Sequence, residues 1–477
     1  MSDLPHIAVV GGGISGLSAA HALLRSGRAN VTLLEADRRL GGKIRSEPIG
    51  DQTVDVGAEA LFARVPGAIE LCRELGLGEE LVGAARTATA VWTRGHLREL
   101  PAGIFSGLPD GLKPVLRSGI LSPLGLARGA LDLVLPASRG DGDRSVGQLV
   151  RSRLGRQALD RLVDPLLGTI YATDCDRLSA RAAAPQLDAL ARGHRSLIQG
   201  LRAARPTPQQ PGPLFVSLPG GLERIVVRLR EELHEVDIRC STPVRLLERA
   251  PDGSYQLDIA NGKPLRADGV LIAAPHDEAA RILSAVSPNA ATELEQIGYS
   301  STIVVTMRYS AGAAPEPLSL AGFLVPQSEH RLLGACTCLS AKWPHLTATG
   351  EVWLRCSVGR ASMPGALKLD DATLVARLAH ELKQALGLRA KPLDTHVMRW
   401  ERSLPRYEPG HLDRVARIED QLARLPGLEL AGAAYRGIGV PQCITQGQAA
   451  AERILAAITD TNAVVSPQTR ARLSRGA

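Results

Sequence analysis

Apolar positions along the chain follow two rhythms, short β-branched runs and longer stretches with apolar residues at helical spacing. The first run, His6-Ile7-Ala8-Val9-Val10, is too short for a helix and leads into Gly11-Gly12-Gly13-Ile14-Ser15-Gly16 and then an Ala- and Leu-rich amphipathic helix. A second run, Val31-Thr32-Leu33-Leu34, ends in Glu35, nineteen residues after Gly16. Strand, Gly-x-Gly-x-x-Gly turn, helix, strand and terminal acid arrive in the order of a βαβ nucleotide unit. Gly11 permits the tight turn, Gly13 lets a pyrophosphate lie against bare backbone, and Gly16 lets the helix sit close to the strand. The free N–H groups at the helix N-terminus favour an anion there. Glu35 is placed to accept both ribose hydroxyls, which argues against a 2′-phosphate. The competing reading of the glycines alone is a helix-capping loop.

Further on, the pattern changes. Residues 91–101 read as a hairpin turning at Gly95, and residues 91–205 are otherwise mostly helical in phase. Residues 103–136 are rich in Leu, Ile and Gly but broken by Asp110, Lys113, Arg117, Arg128 and Asp132. Such a stretch suits a membrane interface or a cavity lining, with plain helical packing as the alternative. A Pro- and Gln-rich linker at 206–213 precedes a helix phased on Leu222, Val226 and Leu229. Strands flank the Asp252-Gly253 turn, and Asp268-Gly269-Val270-Leu271-Ile272-Ala273-Ala274-Pro275 reads as a buried strand. Strands are expected at 302–309, 322–326 and 351–359, then a strand at 428–432 feeding a helix that begins at Pro441.

Composition narrows the class. With 477 residues the chain exceeds one core, and 44% hydrophobic with 22% charged residues marks an ordinary globular protein. The net charge of +7 is spread over scattered Arg with no dense basic run, which makes nucleic acid a poor candidate partner. Seven cysteines without C-x-x-C spacing indicate neither a metal site nor a disulfide framework and suit a reducing cytoplasm. The first strand begins almost at once, leaving no room for a signal peptide. No apolar run of about 18 residues is present to span a bilayer.

Asp37-Arg38-Arg39-Leu40-Gly41-Gly42-Lys43-Ile44-Arg45-Ser46 offers a second backbone approach, with Lys43 and Arg45 supplying charge for phosphate. A simple nicotinamide fold has no use for it, so FAD is the better cofactor. The fingerprint, this segment and Val54-Asp55-Val56-Gly57-Ala58-Glu59 together resemble the FAD superfamily of amine oxidases, phytoene desaturases and porphyrinogen oxidases. Residues 164–179, which contain Gly168-Thr169-Ile170-Tyr171-Ala172, resemble the signature of the coproporphyrinogen III and protoporphyrinogen IX oxidases, which amine oxidases lack. Members usually carry Gly-Pro where this chain has Gly57-Ala58.

The resemblance covers residues 6–456 and implies an α/β fold in three parts. A discontinuous Rossmann-type FAD domain takes 1–85, 214–275 and 395–460; a mixed-sheet substrate domain takes 276–394; a helical domain takes 86–205; 461–477 form a tail. It implies non-covalent FAD on Gly11, Gly12, Gly13, Ile14, Ser15, Gly16, Glu35, Ala36, Gly42, Lys43, Gly57, Ala58, Glu59, Ala60, Val244, Trp400, Gly432, Ile438, Gly439 and Val440. Substrate contacts are expected from Arg94, Gly168, Thr169, Leu324, Cys336 and Ser357, with Arg94 on a propionate. For Leu324, Cys336 and Ser357 the alternative is sheet packing. For Arg94 it is a solvated hairpin arginine whose place Arg98 could take.

The implied reaction is oxidation of a tetrapyrrole by O2 through the flavin, with no side-chain base required. The string at 168–172 and the polar Ser357 favour coproporphyrinogen III over protoporphyrinogen IX. Handover of the porphyrin to a ferrochelatase and peripheral contact with the cytoplasmic membrane face are further implications. An amine oxidase would want an aromatic cage, yet the chain has only 4 Trp, 6 Tyr and 4 Phe, and Tyr435 gives one wall. A non-catalytic FAD or porphyrin carrier is the other rival.

Overall fold

The computed structural model describes residues 4–101, 104–105, 108–109, 112–137, 142–204, 212–260, 262–315, 318–346, 349–360 and 363–464. The β-branched runs form the strands His6–Val10 and Asn30–Leu34, paired in parallel, with the helix Ile14–Ser26 crossing between them. Asp237–Arg239, Gly269–Ile272 and Leu428–Leu430 complete a five-stranded parallel sheet. Such a sheet is buried on both faces, hence the uninterrupted apolar strands. Ile7, Val9, Leu17, Leu23 and Leu33 are fully enclosed, each worth about 1.5 to 3 kcal/mol. The helix Val440–Val464 packs across Ile14–Ser26, and a Cβ at Gly447 would collide with the Ser15 carbonyl oxygen. The helix thus runs past the boundary expected at 460; residues 465–477 lie outside the described residues, as do residues 206–211 of the linker expected at 206–213.

The second layer is a seven-stranded mixed sheet. In spatial order its strands are Asp394–Pro405, Tyr299–Tyr309, Val352–Val358, Leu333–Cys338, Gly322–Leu324, Thr89–Thr93 and His96–Glu99. This corrects the expected boundaries at both edges. The 91–101 hairpin, assigned to the helical domain, closes one edge because Thr89–Thr93 pairs in parallel with Gly322–Leu324. Asp394–Pro405, assigned to the FAD domain, forms the other edge against Tyr299–Tyr309. The hairpin turn is Arg94-Gly95, both with positive φ (54° and 78°), the geometry a two-residue primed turn needs. Alternation gives the sheet two faces. Ala90, Phe323, Cys336, Cys356 and Val305 pack under the helix Asp371–Leu386 through Leu374, Leu378 and Leu382. The opposite, inner face turns toward the nucleotide domain.

A helical layer with its own core, including Leu149, Leu162, Leu187 and Leu197, is formed by residues 112–137 and 142–204. Within it, Leu159–Gly168 is a π-helix containing Pro165, and it packs on Thr89–Thr93. Residues 103–136, apolar but charge-broken, form the helices Leu112–Ser118 and Pro123–Ala130; Asp110 lies outside the described residues.

Candidate active site

The nucleotide end is built as the glycine spacing requires. A Cβ at Gly16 would collide with the Gly11 carbonyl, and one at Gly11 would stand 2.8 Å from the Ala273 carbonyl carbon. Gly13, by contrast, faces open space and caps a helix whose first turn has no side-chain cap. Free N–H groups therefore look into the cleft. Glu35 accepts the Gly12 N–H at 2.5 Å through Oε2 and the Asp37 N–H at 2.8 Å through Oε1. Each oxygen keeps a lone pair for a ribose hydroxyl. Ala36 is exposed beside it, and Thr242 donates to the Glu35 carbonyl at 2.8 Å; Val244, two residues on, is buried in the core with Leu34, and its carbonyl accepts from Arg281 at 2.8 Å.

At the other end, two loops cross. Gly41 donates to the Gly12 carbonyl at 2.8 Å, and Gly42 lies against the Gly13 Cα. Ala58 donates to the Lys43 carbonyl at 3.1 Å, and a Cβ at Gly57 would strike that same oxygen. The Trp400 indole N–H reaches the Val56 carbonyl at 2.8 Å. Lys43 is walled in by protein yet open to solvent, the position of a side chain lining a deep cleft, and that enclosure lowers its ammonium pKa. Gly432 (φ 139°) lies near Ser15 Oγ. Ile438 and Gly439 lead into Val440–Val464, so two helix N-termini converge on the cleft. Together the bare glycine cradle, the uncapped first turn and the acid-ended second strand fit a flavin dinucleotide.

Glu59 departs from expectation. Its side chain is committed to Lys342 Nζ at 2.8 Å, Trp343 Nε1 at 2.9 Å and Arg355 at 3.3 Å. Burial alone would raise its pKa, but the two cations and these hydrogen bonds override it and hold it at about 2. It pins the loop to the sheet, and its carbonyl accepts from Ser217 Oγ. Ala60 packs beside Trp343 in a small apolar cluster. Lys342 and Arg355 went unnoticed in the sequence because a single cation, at the end of a short helix or within a strand, carries no local pattern.

On the substrate side the register sorts the expected residues. Leu324 and Ser357 share the inner face with Val91, Ala335, Val304 and Met398. Cys336 is one step out of phase with them; it points into the core under Asp371–Leu386 and lines no inner-face pocket. Gly168 and Thr169 seat a buried ion pair instead of an open contact. Arg360 Nη1 meets Asp164 Oδ2 at 2.6 Å, its Nη2 donates to Thr169 Oγ1 at 3.0 Å, and a Gly168 Cβ would lie 2.7 Å from the guanidinium. Arg94, exposed at the hairpin turn, spends its guanidinium on the carbonyls of Gly119 and Ile120.

A family model described as flavin containing amine oxidoreductase matches residues 14–455. The chain belongs to that family. Similar curated proteins include coproporphyrinogen III oxidase of Bacillus subtilis (strain 168), 33% identical, with 94% of this chain and 98% of that protein covered. The enzyme of the same name from Mycobacterium bovis is 35% identical, covering 94% and 97%. A crystal structure of a "putative protoporphyrinogen oxidase" from Exiguobacterium sp. 255-15 superposes with a TM-score of 0.84 at 33% identity, covering 96% of this chain and 99% of that one. The family's flavin finds its cradle in the cleft just described: this is a flavoprotein oxidoreductase.

Proposed function

We propose that the protein oxidises coproporphyrinogen III to coproporphyrin III, with non-covalently held FAD and O2 as the final acceptor. The observation that carries the reading is the inner sheet face. Leu324, Ala335, Val304 and Met398 make an apolar wall that ends where the π-helix covers the fully buried Val91, with Arg94, Arg98 and Arg161 grouped beyond it. A flat apolar substrate fringed with carboxylates suits such a wall and rim. Similarity to coproporphyrinogen III oxidases over nearly the full chain supports the same choice. The bound flavin supplies a hydride acceptor, and the chain contributes position and electrostatics. The wall row carries no carboxylate or lysine, so pyrrole protons pass to backbone or water. The paired helix N-termini favour negative charge on the reduced ring.

Protoporphyrinogen IX is the second reading, favoured by the name of the similar solved structure. In an aerobic assay the purified yellow protein should oxidise coproporphyrinogen III faster than protoporphyrinogen IX, with peroxide rising in step with porphyrin fluorescence and FAD released intact on acid precipitation. Faster turnover of protoporphyrinogen IX would install the second reading, and oxidation of neither would overturn both. We also propose that the product passes to a ferrochelatase and that the helices at 112–130 touch the cytoplasmic face of a membrane peripherally.

A further inference from the structure

The loop between the strand Leu428–Leu430 and the helix Val440–Val464 shapes the second of the two helix N-termini at the flavin cleft. It turns at Gly432 and Gly437, both with positive φ (139° and 122°), and two side chains hold three of its backbone groups. The Tyr407 hydroxyl donates to the Ala433 carbonyl at 2.6 Å and accepts from the Gly437 N–H at 2.8 Å. Four residues on, in the first turn of the helix His411–Leu422, His411 Nε2 donates to the Tyr435 carbonyl at 3.0 Å. A carbonyl only accepts, so Nε2 carries the proton, and burial lowers the ring's pKa to about 4, which keeps it neutral. The Tyr407 and His411 rings stack with centroids 4.0 Å apart, and each residue is 1% exposed.

The helical layer grips the same segment from its other side. Ser179 donates its N–H to the Tyr407 carbonyl at 2.7 Å, and Asp143 accepts from the Gly410 N–H at 2.8 Å and from the Ser179 hydroxyl at 2.7 Å. Arg177 meets Glu408 at 2.6 Å, and Tyr171 tilts against the Tyr407 ring with centroids 5.8 Å apart. Tyr407 therefore stands where the helical layer meets the flavin loop. A buried hydroxyl with one donor and one acceptor partner tolerates little drift, because either backbone group left alone would be unpaired away from water. Gly437 is three residues from Val440, where the helix begins, so a shift at its N–H moves the helix end.

We propose that Tyr407 is a positioning residue for the flavin: its hydroxyl, with His411 beside it, fixes the loop 432–437 and so holds the N-terminus of Val440–Val464 toward the cleft, tightening the grip on FAD and raising the flavin's reduction potential. A positive helix end favours the reduced anion only while it stays in place. The inference rests on the flavin cradle described above and is independent of which porphyrinogen is oxidised.

Holoenzyme variants test this by two readouts, the dissociation constant for FAD and the midpoint potential from reductive titration against an indicator dye. Tyr407→Phe keeps both ring contacts and removes only the hydroxyl. Its FAD dissociation constant should rise about three- to tenfold, the loss of buried hydrogen bonds, and its potential should fall below the parent's. Tyr171→Phe is the structural control: it removes a hydroxyl from the same cluster, one that reaches the Ala183 carbonyl at 3.4 Å and no part of the loop, so its potential should match the parent's. His411→Leu, which loses the donor to Tyr435, should lower the potential as Tyr407→Phe does, while His411→Gln, which keeps an N–H there, should stay near the parent. These two carry the test if Tyr407→Phe does not fold. A parent-like potential and FAD affinity in both Tyr407→Phe and His411→Leu, or an equal shift in Tyr171→Phe, would overturn the assignment. Gly13→Val, whose side chain would enter the open cradle, separates the claim from its premise. If it alone loses FAD, the cradle stands and the role of Tyr407 falls; if it binds FAD as the parent does, the placement of the flavin falls and the proposal with it.

Discussion

Asp55 lies buried behind the flavin loop, where one oxygen accepts from Ser46 Oγ at 2.6 Å and from the Leu222 N–H at 2.9 Å. Burial dominates these hydrogen bonds and lifts its pKa to about 7. The folded protein therefore holds a proton that the unfolded chain loses near pH 4, and stability falls as pH rises from about 4 to about 7. Asp55→Asn keeps the Oδ1 acceptor and removes the charge. It should be more stable than the parent at pH 8, by a few kcal/mol at most, with the advantage vanishing toward pH 4. Equal urea midpoints at pH 8 would refute it. Side chains of this kind show why residue roles were only partly legible. Glycines declare themselves because a missing Cβ has one structural use, as at Gly11 and Gly16. An acid such as Glu59 looks the same in sequence whether it meets a ligand or Lys342.

At the scale of elements, the π-helix Leu159–Gly168 is held by long-range chemistry. Pro165 interrupts its amide ladder, and Asp164 accepts the Cys175 N–H at 3.1 Å as well as the buried Arg360 guanidinium. Removing one charge from such a pair strands the other, so Arg360→Met should cost about 3 to 5 kcal/mol. Adding Asp164→Asn should return a substantial part of it. A double-mutant cycle by urea unfolding measures the coupling, and a single-mutant cost below about 1 kcal/mol would show the pair to be idle. Sequence pattern revealed elements whose signal is local, such as the first βαβ unit and the Arg94-Gly95 hairpin. It could not show that Thr89–Thr93 pairs with Gly322–Leu324, more than two hundred residues away, or that Cys336 falls out of phase with Leu324. Leu324 stands opposite Ala335 and Phe323 opposite Cys336, a register set by strand pairing, and a strand's own alternation does not say which face a helix will cover.

Across the whole molecule, the chain leaves the nucleotide layer and returns to it twice, so the cleft is assembled from its beginning, middle and end. On the outside of the helical layer, Leu116, Leu124, Leu131 and Val134 stay exposed, Leu124 at 82% and Val134 at 69%. Lys113 and Arg117, on the same helix as Leu116, are exposed too. Exposed apolar side chains and cations on neighbouring helices suit the peripheral contact with an acidic lipid surface proposed above. No helix among the described residues is long and apolar enough to cross a membrane. The protein should co-sediment with vesicles containing anionic phosphatidylglycerol and be released by high salt or carbonate. Leu124→Glu combined with Val134→Glu should weaken that binding at least about tenfold, by replacing inserted carbon with charge that the lipid repels. Turnover in vesicle-free buffer should be unchanged, because neither residue belongs to the inner sheet face or to the flavin cleft. A parent protein that stays in the supernatant with such vesicles, or a double variant that binds them as the parent does, would remove the lipid surface as this patch's partner.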